Sequence, residues 1–81
     1  MVVLHNNSLQ FYRDLYPKGM RIRILSMPNK ENPVPTNTIG TIKSIEETGH
    51  IFVDWDNGQT EPIQLGVDQF KPLNSEKIYS P

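Results

Sequence analysis

Two carboxylates two positions apart, Asp54 and Asp56, are the strongest candidates for metal binding or acid–base chemistry in this chain of 81 residues. Paired carboxylates can hold a cation or share a proton. A calcium loop counted from Asp54 needs Gly at its sixth position and Glu at its twelfth, but Gln59 and Leu65 stand there. The spacing therefore predicts no metal site. We expect Asp56 to hydrogen-bond a turn backbone and Asp54 to pair with a strand cation.

His5 and His50 are also residues of a type that carries chemistry, but neither has a neighbour at metal-ligand spacing. The chain has no cysteine, so a thiolate nucleophile and a thiolate metal ligand are both excluded. A catalytic triad needs a nucleophile, a base and a group that orients the base, and no spacing in this sequence indicates one. The sequence predicts that the protein is not an enzyme and uses no metal or cofactor.

A small cationic patch is the best candidate for a functional surface. Arg21 and Arg23 share one face of a predicted strand, and Lys43 joins them if the first two strands pair. The planar guanidinium of Arg suits phosphate and carboxylate groups. The alternative is that these cations only pair with nearby carboxylates, namely Asp54, Glu61 or Glu46.

Tyr12, Tyr16 and the proline-rich loop at 28–36 form a second candidate surface, because aromatic side chains and loops line the grooves of peptide-binding barrels. The alternative is that Tyr16 and Pro17 only close one end of the fold. Residues 7–16 have the apolar spacing of a short amphipathic helix, which Pro17 would end. An extended arm is the alternative for this segment.

Three strands must position these candidates. MRIRILSM at 20–27 alternates apolar and polar residues with a period of two. A second strand is predicted at 39–45, with Gly40 near its start, and a third at 50–55, after a turn that contains Gly49. The alternation of the third strand places Trp55 in the core, where its indole N–H needs an acceptor such as a loop carbonyl.

Turn signals organise the remainder of the chain. Asp56-Asn57-Gly58 predicts a hairpin. A fourth strand at 59–65 follows, limited by Pro62 to an edge or a bulge, and then a 3₁₀ turn at 66–69 and a closing strand at 70–73. This pattern predicts an all-β, small SH3-like barrel of about five short strands. We expect an N-terminal arm or short helix at 1–15, the barrel at 16–73 and a flexible tail at 74–81.

Charge and hydropathy limit the function classes. The net charge of −1 argues against a dedicated duplex-DNA binder. Residues 1–43 carry a net charge of +4 and residues 44–81 a net charge of −5, which fits either a two-faced surface or cross-strand ion pairs. The longest apolar run, MVVL at 1–4, is too short to span a bilayer or to form a signal peptide. We therefore expect a cytoplasmic protein without membrane contact.

Three segments together resemble a known family: YPKGMRIRILSM at 16–27, TIGTIKSIEETGHIFVDWDNG at 38–58 and LGVDQF at 65–70. The chain is similar to small domains of unknown function found in Gram-positive bacteria, their phages and their conjugative elements. The resemblance implies a small β-barrel, and it brings no established activity or catalytic residues. Where that family tends to have Gly, this chain has Asn37, which tolerates the left-handed backbone conformation.

A weaker resemblance covers residues 49–58. Their GHIFVDWDNG segment is similar to the Gly-x-Val-x-Val-x-Trp-Asp-Asn-Gly core of a eukaryotic SH3-like module in ubiquitin ligases. That likeness implies a protein- or peptide-binding surface. The sequence thus favours a binding or adaptor module, either monomeric or weakly dimeric. The alternatives are a nucleic-acid-binding accessory of a mobile element or phage, and a structural barrel that forms oligomers through an edge strand.

Overall fold

The computed structural model describes residues 6–73, which form one helix and five strands. Helix α1 covers Asn6–Leu15, and the strands are β1 (Arg21–Ser26), β2 (Ile39–Ile45), β3 (His50–Trp55), β4 (Ile63–Gln64) and β5 (Gln69–Pro72). They form one antiparallel sheet with the order β4-β3-β2-β1-β5. The prediction of a small all-β, barrel-like domain with a short helix is confirmed. The predicted tail at 74–81, the start of the predicted arm and His5 lie outside the described residues.

One apolar cluster forms the core. Its buried members come from β1 to β4 and from the loop that joins β1 to β2: Ile22, Ile24, Met27, Val34, Ile42, Ile45, Ile51, Val53, Trp55 and Ile63. Three residues of the N-terminal region, Leu9, Tyr12 and Tyr16, pack against it. The period-two patterns of β1 and β3 predicted the inner faces of those strands. The apolar spacing of residues 7–16 predicted the helix, but it also included Phe11 and Leu15, which are exposed.

Gly40 allows β2 and β3 to approach each other closely. It lies opposite Trp55 in the β2–β3 pairing. A Cβ atom on Gly40 would lie 2.6 Å from Val53 Cγ1, 2.7 Å from Trp55 Cε3 and 3.0 Å from the carbonyl oxygen of Asp54. Trp55 is 4% exposed, and its indole N–H donates to the carbonyl of Glu61 at 2.8 Å. The carbonyl of Glu61 is therefore the loop acceptor that the sequence predicted for a buried indole.

β2 contains a bulge at Lys43. Ile42 pairs with Val53 and Ser44 with Phe52, so Lys43 has no opposite residue on β3. An extra residue shifts the alternation of a strand by one position. The shift lets Ile42 and Ile45 both enter the core, although they are three positions apart. It also leaves Lys43 exposed on the outer surface.

The proline-rich loop is attached to the sheet rather than projecting from it. Val34 is buried in the core. The N–H of Asn37 donates to the carbonyl of Ile24 at 2.8 Å, and the N–H of Ile24 donates to the carbonyl of Thr38 at 3.0 Å. Asn37 has a φ of 76°, which is the left-handed conformation predicted for it.

A buried ion pair connects this loop to the turn before β5. Lys30 Nζ lies 2.9 Å from Asp68 Oδ2, and the two side chains are 14% and 0% exposed. The same oxygen accepts the N–H of Gln64 at 2.8 Å. Asp68 Oδ1 is buried without a hydrogen-bond partner among the described residues. Because a buried carboxylate without a cation is costly, Lys30 is the residue that makes this position of Asp68 possible.

The chain turns between β4 and β5 close to the predicted place. The turn begins at Gln64, whose carbonyl accepts the N–H groups of Val67 and Asp68 at 3.1 and 2.9 Å. The first bond spans three residues, as in the predicted 3₁₀ turn, and the second spans four. The side chain of Asp68 returns to the N–H of Gln64, so this one residue closes the turn with its backbone and its carboxylate.

The fourth strand is shorter than predicted, with two residues, Ile63–Gln64, instead of 59–65. The N–H of Gln59 donates to Asn57 Oδ1 at 2.9 Å, the carbonyl of Glu61 accepts the Trp55 indole, and Pro62 has no N–H. The N–H of Gln59 and the carbonyl of Glu61 are used in other hydrogen bonds, and Pro62 lacks a donor. The segment before Ile63 therefore cannot extend the pairing of β4 with β3.

The predicted hairpin at Asp56-Asn57-Gly58 is present as the antiparallel connection between β3 and β4, but it is not a tight two-residue turn. A two-residue hairpin turn of this kind needs a positive φ at both central residues, but Gly58, with a φ of 89°, is the only residue of this turn that has one. The N–H of Gly58 donates to the carbonyl of Trp55 at 2.9 Å, which closes a turn that leads into the connection to β4. Asn57, not Asp56, bonds the turn backbone.

Gly40→Ala is expected to lower the free energy of unfolding by about 1–3 kcal/mol, because the new methyl group must displace two core side chains and a backbone oxygen. Urea unfolding followed by the fluorescence of Trp55 measures this change. Ser44→Ala is the control on the same strand, since it removes only a 3.4 Å exposed hydrogen bond to Glu46. Equal stability of the Gly40 variant and the wild type would contradict the described strand contact.

Lys30→Met is expected to destabilise the domain by about 3 kcal/mol, because it leaves the Asp68 carboxylate buried without its cation. The double variant Lys30→Met/Asp68→Asn should recover part of the loss, since Asn can still accept the N–H of Gln64 without a charge. The same urea experiment measures Lys30→Met, Asp68→Asn and the double variant. A double variant as unstable as the sum of the two single variants would argue against the ion pair.

Candidate functional site

A cleft of about 320 Å³ lies between α1 and β2. We call it the α1–β2 cleft. Its walls come from one side of the helix, from the turn after the helix and from the end of β2: Gln10, Arg13, Asp14, Tyr16, Pro17, Lys18, Lys43, Ser44 and Ile45. Three of these residues are cations and one is an anion, so the cleft is a cationic concavity.

Arg13 is held in place by the backbone of β2. Its Nε and Nη2 atoms donate to the carbonyl oxygen of Ile45 at 3.3 and 3.1 Å. Ile45 is itself 1% exposed, so the acceptor belongs to a strand residue that the core fixes. A guanidinium has five N–H groups, and these bonds use two of them. The orientation of Arg13 is therefore set before any ligand arrives.

Pro17 ends α1 and begins the turn that carries Lys18. Proline disfavours the helical conformation of the residue before it, and α1 ends at Leu15, as predicted. The N–H of Met20 donates to the carbonyl of Pro17 at 3.0 Å. Gly19, the third residue of the turn, has a φ of 92°, which is the conformation that a type II turn requires there.

Two backbone hydrogen bonds attach this turn to β2. The N–H of Gly19 donates to the carbonyl of Ile42 at 2.8 Å, and the N–H of Ile42 donates to the carbonyl of Met20 at 2.9 Å. The bulge residue Lys43 follows Ile42 directly. The turn and the bulge thereby bring Lys18 and Lys43, which are far apart in sequence, into one cleft.

The α1–β2 cleft carries a formal charge of +2, from three cations and Asp14. Asp14 accepts a hydrogen bond from Gln10 Nε2 at 2.8 Å. Lys43 Nζ lies 3.7 Å from Asp54 Oδ1, and these side chains are 57% and 65% exposed. An exposed pair at that distance is weak, so a ligand carboxylate can replace Asp54 as the partner of Lys43 at small cost.

The structure separates the cations that the sequence grouped together. Lys43 lines the cleft, but Arg21 and Arg23 do not. Arg21 Nη1 and Nη2 donate to the two carboxylate oxygens of Asp56 at 2.9 and 2.7 Å, and Nη1 also donates to Thr41 Oγ1 at 2.8 Å. The prediction that these cations pair with Asp54, Glu61 or Glu46 is therefore wrong for Arg21.

The register of the strands explains the choice of Asp56. Arg21 lies opposite Thr41 in the β1–β2 pairing, and Thr41 lies opposite Asp54 in the β2–β3 pairing. Asp54 pairs with Lys43 instead, and the next outward-facing carboxylate along the chain is Asp56. This pairing occupies Arg21 within the fold. A binding role for Arg21 and Arg23 stays a prediction.

Tyr12 and Tyr16 contribute to the core as well as to the surface. Their rings stack at a centroid distance of 6.5 Å and an angle of 11°. Tyr16 also meets Phe70 of β5 edge-on at 4.9 Å, which favours the view that it closes one end of the fold. Tyr16 lines the cleft, whereas Tyr12 and the proline-rich loop do not. A binding role for the two tyrosines stays a prediction.

Arg13 and Lys18 are site residues that the sequence reasoning did not single out. The signal for them was the net charge of +4 on residues 1–43, to which both contribute. Neither residue has a periodic pattern that points to a surface. Their meeting with Lys43 depends on a turn and a bulge, which no sequence pattern predicted in detail.

Within residues 6–73, no group of three or more His, Cys, Asp or Glu side chains is arranged to hold a metal ion. Asp54 and Asp56, the pair that suggested metal chemistry, are each next to a different cation. In the same part of the chain, no helix has the length and apolar character needed to cross a membrane.

The hydrogen bonds and the charge of Arg21 hold the pKa of the Asp56 carboxyl below its usual range. We expect Arg21→Gln to raise the pKa of Asp56 towards that range, as measured by a carboxyl ¹³C NMR titration. Thr41→Ala is the control, because it removes a different hydrogen bond of Arg21. Equal pKa values of Asp56 in the wild type and in Arg21→Gln would contradict the pairing.

The lowered pKa of Asp56 also determines how the stability of the fold depends on pH. Since the pKa of Asp56 is lower in the folded than in the unfolded protein, the pair stabilises the fold at pH values above the unfolded carboxyl pKa, about 3.9. This stabilisation is lost as the pH falls through the lowered pKa of the folded state. The difference in unfolding free energy between the wild type and Arg21→Gln should therefore shrink on acidification.

Comparison with known proteins identifies the family of this domain. No curated protein and no solved structure matches the chain significantly. A family model described as "Domain of unknown function (DUF4314)" matches residues 5–73. The match includes α1, the five strands and every residue that lines the α1–β2 cleft. The chain therefore belongs to the DUF4314 family of domains of unknown function.

Proposed function

We propose that this domain is a non-enzymatic protein-binding module that holds an acidic segment of a partner protein in the α1–β2 cleft. One observation carries the proposal. Three cations from three separate elements, Arg13 from α1, Lys18 from the turn and Lys43 from the bulge, meet in a single cleft with a formal charge of +2. Opposite charge speeds association and selects the partner.

The fixed orientation of Arg13 supports this role. Ordering a long side chain on binding costs about 0.5–1.5 kcal/mol, and the bonds to the Ile45 carbonyl supply much of that order in advance. Arg also presents a planar fork that matches a carboxylate. Lys18 and Lys43 are exposed and can adjust to the position of the ligand. The cleft thus combines one fixed donor with two adaptable ones.

A protein partner fits the charge distribution better than a nucleic acid does. The chain has a net charge of −1, and residues 44–81 carry a net charge of −5. An extended phosphate backbone would pass beyond the cleft and meet these negative charges, whereas a short acidic segment is confined to the cleft. The SH3-like character expected from the sequence agrees with capture of a short peptide segment.

Lys18→Gln/Lys43→Gln is expected to weaken binding of a short glutamate-rich peptide by about tenfold, since it removes two of the three cations of the cleft. An NMR titration of the ¹⁵N-labelled protein at low salt measures the affinity and locates the site. Arg21→Gln is the matched control, because it removes a positive charge outside the cleft. The control should bind like the wild type.

Two results would overturn this proposal. One is equal affinity of the wild type and the Lys18/Lys43 double variant for the peptide. The other is tighter binding of a single-stranded oligonucleotide, with an affinity that falls steeply as salt is added. The second result would assign the domain to the nucleic-acid-binding class instead.

A further inference from the structure

One asparagine of this chain is followed directly by glycine. Asn57 precedes Gly58, and both are exposed in the connection between β3 and β4. The other asparagines precede Asn, Ser, Lys, Pro or Thr. The backbone nitrogen after an asparagine can attack the side-chain carboxamide, and glycine hinders this attack least, because it has no side chain and the most flexible backbone. Asn57 is therefore the asparagine most open to spontaneous deamidation.

Deamidation of Asn57 needs only water and a base. The nitrogen of Gly58 loses its proton to a solvent base and attacks Cγ of Asn57, and the new N–Cγ bond closes a five-membered imide. The Cγ–Nδ2 bond breaks with its electron pair, and Nδ2 takes up a proton and leaves as ammonia. Water then opens the imide at Cγ to give aspartate, or at the main-chain carbonyl carbon of residue 57 to give isoaspartate. Either product replaces a neutral carboxamide by a carboxylate.

The fold restrains both reacting groups. The N–H of Gly58, whose proton must be removed, donates to the carbonyl of Trp55 at 2.9 Å and closes what we call the Trp55–Gly58 turn. The carboxamide of Asn57 is bonded at both ends to Gln59: Oδ1 accepts its backbone N–H at 2.9 Å, and Nδ2 donates to its Oε1 at 2.6 Å. The reaction therefore requires local opening of the turn, and its rate scales with the open fraction.

Gln59 also links this turn to the proline-rich loop. While its Oε1 faces Asn57, its Nε2 donates to the carbonyl of Asn32 at 3.3 Å. A carboxylate accepts hydrogen bonds and donates none, so deamidation would leave Oε1 facing another acceptor. The amide of Gln59 must then turn its NH₂ group towards residue 57, and Nε2 leaves the Asn32 carbonyl.

We propose that Asn57 is a site of spontaneous deamidation, which the Trp55–Gly58 turn slows and whose product releases the proline-rich loop from Gln59. Neither Asn57 nor Gln59 lines the α1–β2 cleft. The modification site is therefore independent of the proposed function.

Incubation of the protein and of a synthetic peptide of residues 52–63 at mildly alkaline pH tests the site and its restraint. Peptide mapping by mass spectrometry locates the gain of one mass unit, and an isoaspartate-specific methyltransferase detects the isomer. We expect both molecules to react at Asn57, with isoaspartate among the products. The protein should react about ten- to a hundredfold more slowly, because the open turn is a minor conformation populated to about 1–10%.

Gln59→Ala tests the contribution of the carboxamide bonds. It removes the acceptor of Asn57 Nδ2 but leaves the bond between Gly58 and Trp55. The protein with this substitution should deamidate several times faster than the wild type. A peptide with the same substitution is the matched control, because it shows any effect of the changed sequence without the fold.

Asn57→Asp reproduces the aspartate product and tests the release of the loop. NMR spectra of this variant should show shifts of the Gln59 side-chain NH₂ and of the Asn32 carbonyl carbon. Gln10→Glu is the control, since it adds the same charge on α1, at a residue whose side chain bonds Asp14, and it should leave both signals unchanged.

Three results would overturn the inference. A protein unmodified at Asn57 after about a hundred half-lives of the peptide removes the site, because that interval exceeds the expected retardation. Equal rates in the protein and the peptide remove the restraint by the turn. An unchanged Asn32 carbonyl signal in Asn57→Asp removes the release of the loop.

Discussion

The close contact of Gly40 with Val53 and Trp55 is the constraint on which the rest of the structure depends. It fixes which residues of β2 and β3 lie opposite each other, and Trp55 then fills the core and donates to the Glu61 carbonyl. From this register, the bulge at Lys43 shifts β2 by one residue and returns Ile45 to the core. A strand without that shift would place Lys43 and Ile45 on the same face, and the α1–β2 cleft would lose its wall.

The candidate site is built on backbone atoms of buried strand residues. Arg13 bonds the carbonyl of Ile45, and Gly19 in the turn bonds the carbonyl of Ile42. Both acceptors belong to β2 residues that are 1% exposed. The cationic groups therefore stand on the part of the fold that the core holds most firmly. Such support is what allows a small domain to present a preorganised surface on few residues.

The regular parts of this fold follow from sequence periodicity, and the site does not. Alternation places β2 at 39–45 and β3 at 50–55, the bounds that the structure has. Asn37 stands where the family tends to have Gly, and this position predicted its left-handed backbone conformation. By contrast, the bulge at Lys43 depends on cross-strand pairing. The buried pair of Lys30 and Asp68 joins two irregular segments, and irregular segments have no period to reveal such a contact. In the sequence, the only indication of Arg13 and Lys18 was the net charge of +4 on residues 1–43.

Intermolecular NOEs between the isotope-labelled domain and an unlabelled glutamate-rich peptide test the central claim most directly, because they locate the ligand atom by atom. We predict NOEs from the peptide to the side-chain methylenes of Arg13, Lys18 and Lys43, which line the α1–β2 cleft. NOEs to Arg21 and Thr41 on the outer face of β1 and β2, without any to α1, would contradict the account and return the binding surface to the first strand.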